Sequence, residues 1–462
     1  MNYKRLLKQY KVDMIDTVRR FVEIPSVNDP KTVTKEMPFG KEVDNALKFV
    51  GQLGERFGFE VDYCDGYATE LTIGSGKKLI GIFAHADVVP ATGNWTNDPF
   101  KPVIKNNILY GRGVSDDKGP FASAFFAVKA LKDNHLIDDY RVRIVVGGDE
   151  ELGSRCLDYY FGKLKKEVPT YGFTPDSAFP LIYGEKAIGD FMPTLSVDIP
   201  NVISIDGGLV SNAVCDKVVL KMKDDSKFID YLNENNIDYL KQNEELIFNG
   251  KSSHGSMPHL GVNAALICLK SLGEFYNIDS LKKLGEKLMD TSGKSFNCYS
   301  HSDLLEDSTF CVGKIHYENK RLQLVVNYRF SEKTNFEETV KEFDKFFSTK
   351  STCDKEVSKP LLYDPNCALV KTLLKAYKKE THDRHAKAMC TGGGTYAKHC
   401  PNTVAFGAEF PGHESRMHEP DELYSIDDLF LSSVIYARAI VLLGNERESS
   451  VIQLRDESEP KI

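Results

Sequence analysis

Apolar residues recur at Leu7, Tyr10, Met14, Val18 and Phe21, the spacing of one helix face, and predict an amphipathic first helix that Pro25 ends. A second helix is expected from about Val43 to Phe57, closed by Gly58. The period then shortens: FEVDYCDG and ATELTIG read as strands. KKLIGIFAHAD and RVRIVVGGDEE (141–151) each hold a continuous apolar run that ends in polar residues, the form of a strand buried on both faces of a parallel sheet. Between them lie the glycine-rich stretch Tyr110 to Gly119, YGRGVSDDKG, and a helix expected over 120–133, with Pro120 in its first turn. Strands alternating with helices predict an α/β architecture, a mostly parallel central sheet flanked by helices, and such sheets bind ligands at the carboxyl ends of their strands.

From about residue 185 the texture changes. Strand-like segments (DFMPTLSVDI, KVVLKMK, EELIFNGKSSH, RLQLVVNYRF) mix with helical ones (FIDYLNENN, VNAALICLKSLGEF, FEETVKEFDKFF), which reads as an inserted α+β domain. Near Lys359-Pro360 the chain is expected to return to the first domain through the helix ALVKTLLKAYKKE, the turn TGGGTYA, the strand TVAFGAEF and a last helix from Ile426 to Leu443. The expected division is 1–184 and 359–462 for one domain and 185–358 for the other, followed by a charged, mobile tail, NERESSVIQLRDESEPKI. A chain of 462 residues suits two domains. A net charge of −8 without a basic run argues against a nucleic-acid partner. No apolar run reaches the roughly 18 residues of a membrane span, and the N-terminus lacks the apolar core of a signal peptide. Ten scattered cysteines without CxxC spacing read as buried reduced thiols of a cytoplasmic protein.

Several apolar runs and turns end in acids and histidines. Asp116 and Asp117 sit on a tight loop at a helix start, where a favourable helix dipole is the plain alternative to a ligand role. His85 and Asp87, two apart at a strand end, could be hydrogen-bonded structural residues, or an imidazole ligand with a carboxylate fixing its tautomer. Asp149, Glu150 and Glu151 could be a solvated loop, or one ligand whose neighbour reaches a water. Asp176 follows Pro175 in an extended segment, and His418 precedes an acidic turn. Each fragment alone is unremarkable. Together, His85, Asp116, Glu151, Asp176 and His418 offer nitrogen and oxygen donors that suit Zn²⁺ or Mn²⁺ better than Ca²⁺ or an iron–sulfur cluster. A phosphate loop at GSGKK fails because Leu71 stands at the first glycine position and Lys78 at the Ser/Thr position, and GRGVSD lacks the third glycine of a dinucleotide fingerprint.

In order, HADVVP, YGRGVSDDKGP, GGDEELGS, TPDSAFP, GKSSHGSMPHLGVNA, TGGGTYA and MHEPDE resemble the motifs of the dinuclear metallopeptidase family of aminoacylases, carboxypeptidase G and carnosinase-type dipeptidases. The long insert is most similar to the bacterial dipeptidase V type, which is monomeric. The resemblance implies two divalent ions, Zn²⁺ first with Mn²⁺ or Co²⁺ as alternatives, bridged by Asp116. His85 and Asp176 would complete one shell, Glu151 and His418 the other. Asp87 would orient His85, and Glu150 would be the general base that activates a metal-bridging water. The resemblance also implies a cis peptide at Asp116–Asp117, and His254 of the inserted lid domain at the scissile carbonyl oxygen. Arg329, the turn Gly393-Gly394-Thr395 and Asn263 would hold the substrate carboxylate.

The implied function is a dipeptidase for peptides with a free N-terminus. An aminoacylase or N-acyl-amino-acid deacylase on the same scaffold is the near alternative, and a non-catalytic metal-binding scaffold protein the distant one.

Overall fold

The structure is a computed structural model and describes residues 1–354 and 357–446; the charged tail expected beyond that point lies outside the described residues. The chain forms two compact units. The first holds Met1–Gly184, Leu361–Met389 and the described residues from Thr395 onward. The second holds Glu185–Pro360 and Cys390–Gly394. The chain re-enters the first unit at Leu361, but one later segment departs from the expected division. Residues 390–394 go with the second unit, which separates Gly393 and Gly394 from Thr395.

In the first unit the main sheet runs in the order Glu60–Asp62, Ala68–Gly74, Tyr140–Gly147, Lys78–His85, Tyr171–Thr174, Thr403–Ala405, Ile182–Glu185, Leu361–Leu362. Its four central strands, from Tyr140–Gly147 to Thr403–Ala405, are parallel. The strands outside them join antiparallel where pairings are given. The apolar runs identified above are these central strands, and their interior positions are buried on both faces. Helices Lys11–Val22, Lys41–Arg56, Lys118–Asp133, Ala368–Thr381 and Ile426–Asn445 belong to this unit. The first helix begins as two shorter turns, Tyr3–Leu7 and Lys8–Tyr10, yet Leu7, Tyr10, Met14, Val18 and Phe21 are all buried, as their spacing requires.

The second unit is an eight-stranded antiparallel sheet, ordered Leu240–Gln242, Glu245–Asn249, Lys217–Met222, Val202–Gly207, Thr309–Glu318, Arg321–Phe330, Ala187–Ser196, Lys350–Cys353. Its core takes in Leu266 and Leu269 of helix Ala264–Phe275, Phe343 of helix Phe336–Phe347, and Phe191, Phe248 and Val326 of the strands.

No helix among the described residues is long and apolar enough to cross a membrane. All ten cysteines are free thiols, and all but Cys353 and Cys390 are buried.

Candidate metal centre

The central parallel strands deliver three parts of the site side by side. His85 stands opposite Gly147, and Ile82 opposite Phe173. Three residues on, His85 and Asp176 come level, while Glu150 and Glu151 follow just past the end of the neighbouring strand. Asp116 arrives from the loop before helix Lys118–Asp133. In that loop Gly113 has φ +92°, and a Cβ there would lie 3.0 Å from Val88 Cγ1 and 3.1 Å from Lys118 Cδ, so a side chain would be strained and crowded. Lys118 is buried and donates to the carbonyls of Phe21 (3.1 Å) in the last turn of helix Lys11–Val22 and Ile24 (2.8 Å) just past it; burial pushes its pKa down to about 7. The Asp116–Asp117 peptide is cis. His418 lies on the loop that precedes strand Leu423–Ser425.

Asp116 is the common member of two donor sets. Its Oδ1 lies 2.9 Å from His85 Nε2, and its Oδ2 lies 2.9 Å from His418 Nε2. Asp176 Oδ2 is 3.6 Å from His85 Nε2, and Glu151 Oε2 is 3.2 Å from His418 Nε2. Within each set, His85–Asp116–Asp176 and Asp116–Glu151–His418, the candidate ligand atoms all lie within 4.8 Å of one another. Each set offers one imidazole and two carboxylates, a donor mix for a small divalent cation.

The electrostatics show what the cluster lacks. Burial, then the charge of Asp116, pushes Asp176 up to about 8. Burial and Asp116 likewise raise Glu151, and burial and Asp176 raise Glu150 well above the carboxylate range. Burial works against a charged Asp116 too, but hydrogen bonds with His418 and His85 outweigh it and hold that carboxyl well below its usual range. Both histidines shift the other way: burial opposes their charge, yet Asp116 and the neighbouring acids raise His85 well above its usual value and His418 to about 11. Asp117 adds a buried acid whose Oδ2 accepts from the His85 amide at 3.1 Å, while its Oδ1 has no partner among the described residues. So many carboxyls in one low-dielectric place call for positive charge. The residues present fit a pair of divalent ions.

The remaining candidates divide. Asp87 lies against both the His85 ring and the acidic turn. His85 Nδ1 is 3.0 Å from the Asp87 backbone carbonyl and 3.5 Å from its Oδ1. The Asp87 carboxylate also accepts from the amides of Glu150 (3.0 Å) and Glu151 (3.1 Å), so it shapes the acidic turn as well. Asp149 is buried and tied to Arg155 at 2.6 and 3.0 Å, so it is an ion-paired acid and not part of a solvated loop.

In the second unit, Arg329 is buried and its guanidinium is anchored, with Nε donating to Asn327 Oδ1 at 2.9 Å and Nη1 to the Gly392 carbonyl at 2.6 Å. His254 Nε2 lies 3.5 Å from Arg329 Nη2, and its Nδ1 lies 2.7 Å from Ser256 Oγ. Burial lowers Arg329 to about 10. Gly393 N–H donates to Thr391 Oγ1 at 3.1 Å. Thr395 caps the short helix Tyr396–His399 through its hydroxyl, which accepts from the Ala397 amide.

Asn263, expected at the substrate carboxylate, also has a structural task. It is the N-cap of helix Ala264–Phe275, accepting from Ala265 N and Leu266 N and donating to the Val312 carbonyl at 2.8 Å. These bonds use its oxygen and one Nδ2 hydrogen and leave the second Nδ2 hydrogen for another acceptor.

One residue of the site escaped sequence reasoning although its motif was noticed. Glu422, the last residue of MHEPDE, is buried and pairs with Arg112 at 2.7 Å. A buried arginine in YGRGVSD needs an acid somewhere, and that demand was the available signal.

A family model described as peptidase family M20/M25/M40 matches residues 81–441. The putative dipeptidase YtjP of Bacillus subtilis (strain 168) is 33% identical over 474 residues, spanning 96% of this chain and 100% of that relative. A putative dipeptidase of Staphylococcus haemolyticus (strain JCSC1435) is 33% identical over 472 residues, spanning 96% and 99%. Among solved structures, human carnosine dipeptidase 1 shares the fold, with a TM-score of 0.60 at 14% identity over 96% of this chain and 98% of that one.

Proposed function

The chain belongs to peptidase family M20/M25/M40 and is a metallopeptidase, and from that premise we propose that it is a dimetal dipeptidase for dipeptides with a free N-terminus. The observation that carries this reading is Asp116 standing between two imidazole–carboxylate sets, with Glu150 beside them. His85, Asp116 and Asp176 would hold one ion, and Asp116, Glu151 and His418 the other. Two divalent ions would outweigh the three ligand carboxylates by one charge, which an ionised Glu150 beside them offsets. When bound, such ions supply Lewis acidity toward a carbonyl oxygen and make water a better acid near neutral pH.

The chain's own residues do the rest. Glu150 takes a proton from the attacking water and returns it to the leaving amine as the C–N bond breaks. Asp87 holds the Glu150 and Glu151 amides, so the base and its neighbouring ligand keep one geometry. His254 would donate to the developing oxyanion. Arg329, held by Asn327 and Gly392, would meet the substrate carboxylate, with the turn Gly393-Gly394-Thr395 beside it.

The proposed ion is Zn²⁺, with Mn²⁺ or Co²⁺ as substitutes. The protein is proposed to act as a cytoplasmic monomer, a location that its free thiols suit. The test is a panel of dipeptides and their N-acetyl forms on protein loaded with each metal in turn. Cleavage of the dipeptides alone is the expected result. Faster turnover of the N-acetyl forms would make the enzyme a deacylase, and no turnover of either would leave a metal-binding scaffold. Light scattering checks the monomer.

A further inference from the structure

Glu422 is not a candidate ligand, yet five donors converge on its carboxylate. Oε2 accepts from Arg112 Nη1 at 2.7 Å and from the Gly113 amide at 2.9 Å. Oε1 accepts from the Ser115 amide and hydroxyl, each at 2.9 Å, and from the Asp116 amide at 3.2 Å. The Gly111 amide donates to the Glu422 backbone carbonyl at 3.0 Å. Immediately beyond, strand Leu423–Ser425 pairs antiparallel with Ile108–Tyr110, Leu423 opposite Tyr110. The two segments are thus joined from the ladder to the Glu422 side chain, and the join ends at the 2.9 Å contact between His418 Nε2 and Asp116 Oδ2. An ionised carboxylate is acceptor-only, which is what five inward-facing donors require.

We propose that Glu422 is a positioning residue that sets the spacing of Asp116 and His418, and so governs the Asp116–Glu151–His418 cation site far more than the His85–Asp116–Asp176 site. Two of three ligands in the first set sit on the segments that Glu422 joins. In the second set only Asp116 does, while His85 and Asp176 are held at strand ends. The inference rests on the reading that both sets bind cations.

The test is chelator-competition titration of metal-free protein with Zn²⁺. The sites are separated by Asp176→Asn, which leaves the 116/151/418 set intact, and Glu151→Gln, which leaves the 85/116/176 set intact. In Glu422→Gln the amide NH₂ must face some of the five donors. Introduced into the Asp176→Asn background it is expected to weaken Zn²⁺ by about 10–100-fold, the usual effect of removing a partner behind the ligands. In the Glu151→Gln background the change should stay under about threefold on the same scale. Equal weakening in both backgrounds, or none in either, overturns the proposal. Should Glu422→Gln fail to fold by circular dichroism, Ser115→Ala, which removes a single donor, is read in the same two backgrounds. It is expected to weaken only the 116/151/418 set, and an equal effect on both sets, or none, overturns the proposal. Unsubstituted protein that binds fewer than two Zn²⁺ would instead end the dimetal reading itself.

Discussion

Asp116 and His418 are 302 residues apart in the chain and 2.9 Å apart in space. Their chemistry was legible because imidazole and carboxylate at the ends of apolar runs are poor core material and good ligands. Their pairing was not, because nothing local says which loop meets which. The same limit hid Glu422, whose five donors come from residues 112–116, and the capping task of Asn263, whose oxygen holds a helix start. Two predictions belong at this scale. Glu150→Gln should keep its metal, measured by elemental analysis, and lose turnover by at least roughly 10²–10⁴-fold, the range of general acid–base catalysis; activity near normal would remove Glu150 as the base. Asn263→Ala should cost about 1 kcal/mol of stability, as lost N-caps do, with KM for a dipeptide unchanged. A raised KM without a stability loss would restore Asn263 to the substrate.

Among the elements, the parallel strands were easiest to read, because burial on both faces leaves continuous apolar runs such as LIGIFA. The strand Thr309–Glu318, central to the second sheet, was not identified. Phe310 and Val312 point into the core, and so do Ile315 and Tyr317, so the alternation changes phase between them. The register shift between Val312 and Lys314 is that phase change, and a bulge of this kind defeats a search for strict alternation. Close approach also acts at this level. A Cβ on Gly147, the last residue of its strand, would lie 2.3 Å from the Tyr396 hydroxyl and 2.7 Å from Cys156 Sγ. Gly147→Ala should therefore destabilise the first unit by about 1–3 kcal/mol, the usual cost of overpacking, read as a shift of the urea midpoint. An unchanged midpoint would mean that Tyr396 and Cys156 move aside at no cost.

For the whole molecule, metal and stability should be linked. The cluster gathers Asp116, Asp117, Glu150, Glu151 and Asp176 in one largely buried place, and without cations their mutual repulsion and desolvation weigh on the fold. Chelation should abolish activity and lower the melting temperature. Returning Zn²⁺ at about a thousand times its Kd should restore roughly 4 kcal/mol by mass action. Full activity in excess chelator, with an unshifted melting curve, would contradict the metal reading. The amino-acid order by itself determined the α/β class, the insertion that begins near residue 185, and the residue types at strand ends, since periodicity and burial are local consequences of side-chain chemistry. Tertiary structure alone decided that Asp116 stands between two donor sets, that Asp87 meets the 150–151 turn as well as the His85 ring, that 390–394 goes with the second unit, and that Glu422 secures the Asp116 loop. Each of these depends on which distant segments pair, and pairing is settled by the summed packing and hydrogen bonding of the folded chain, not by any stretch of it.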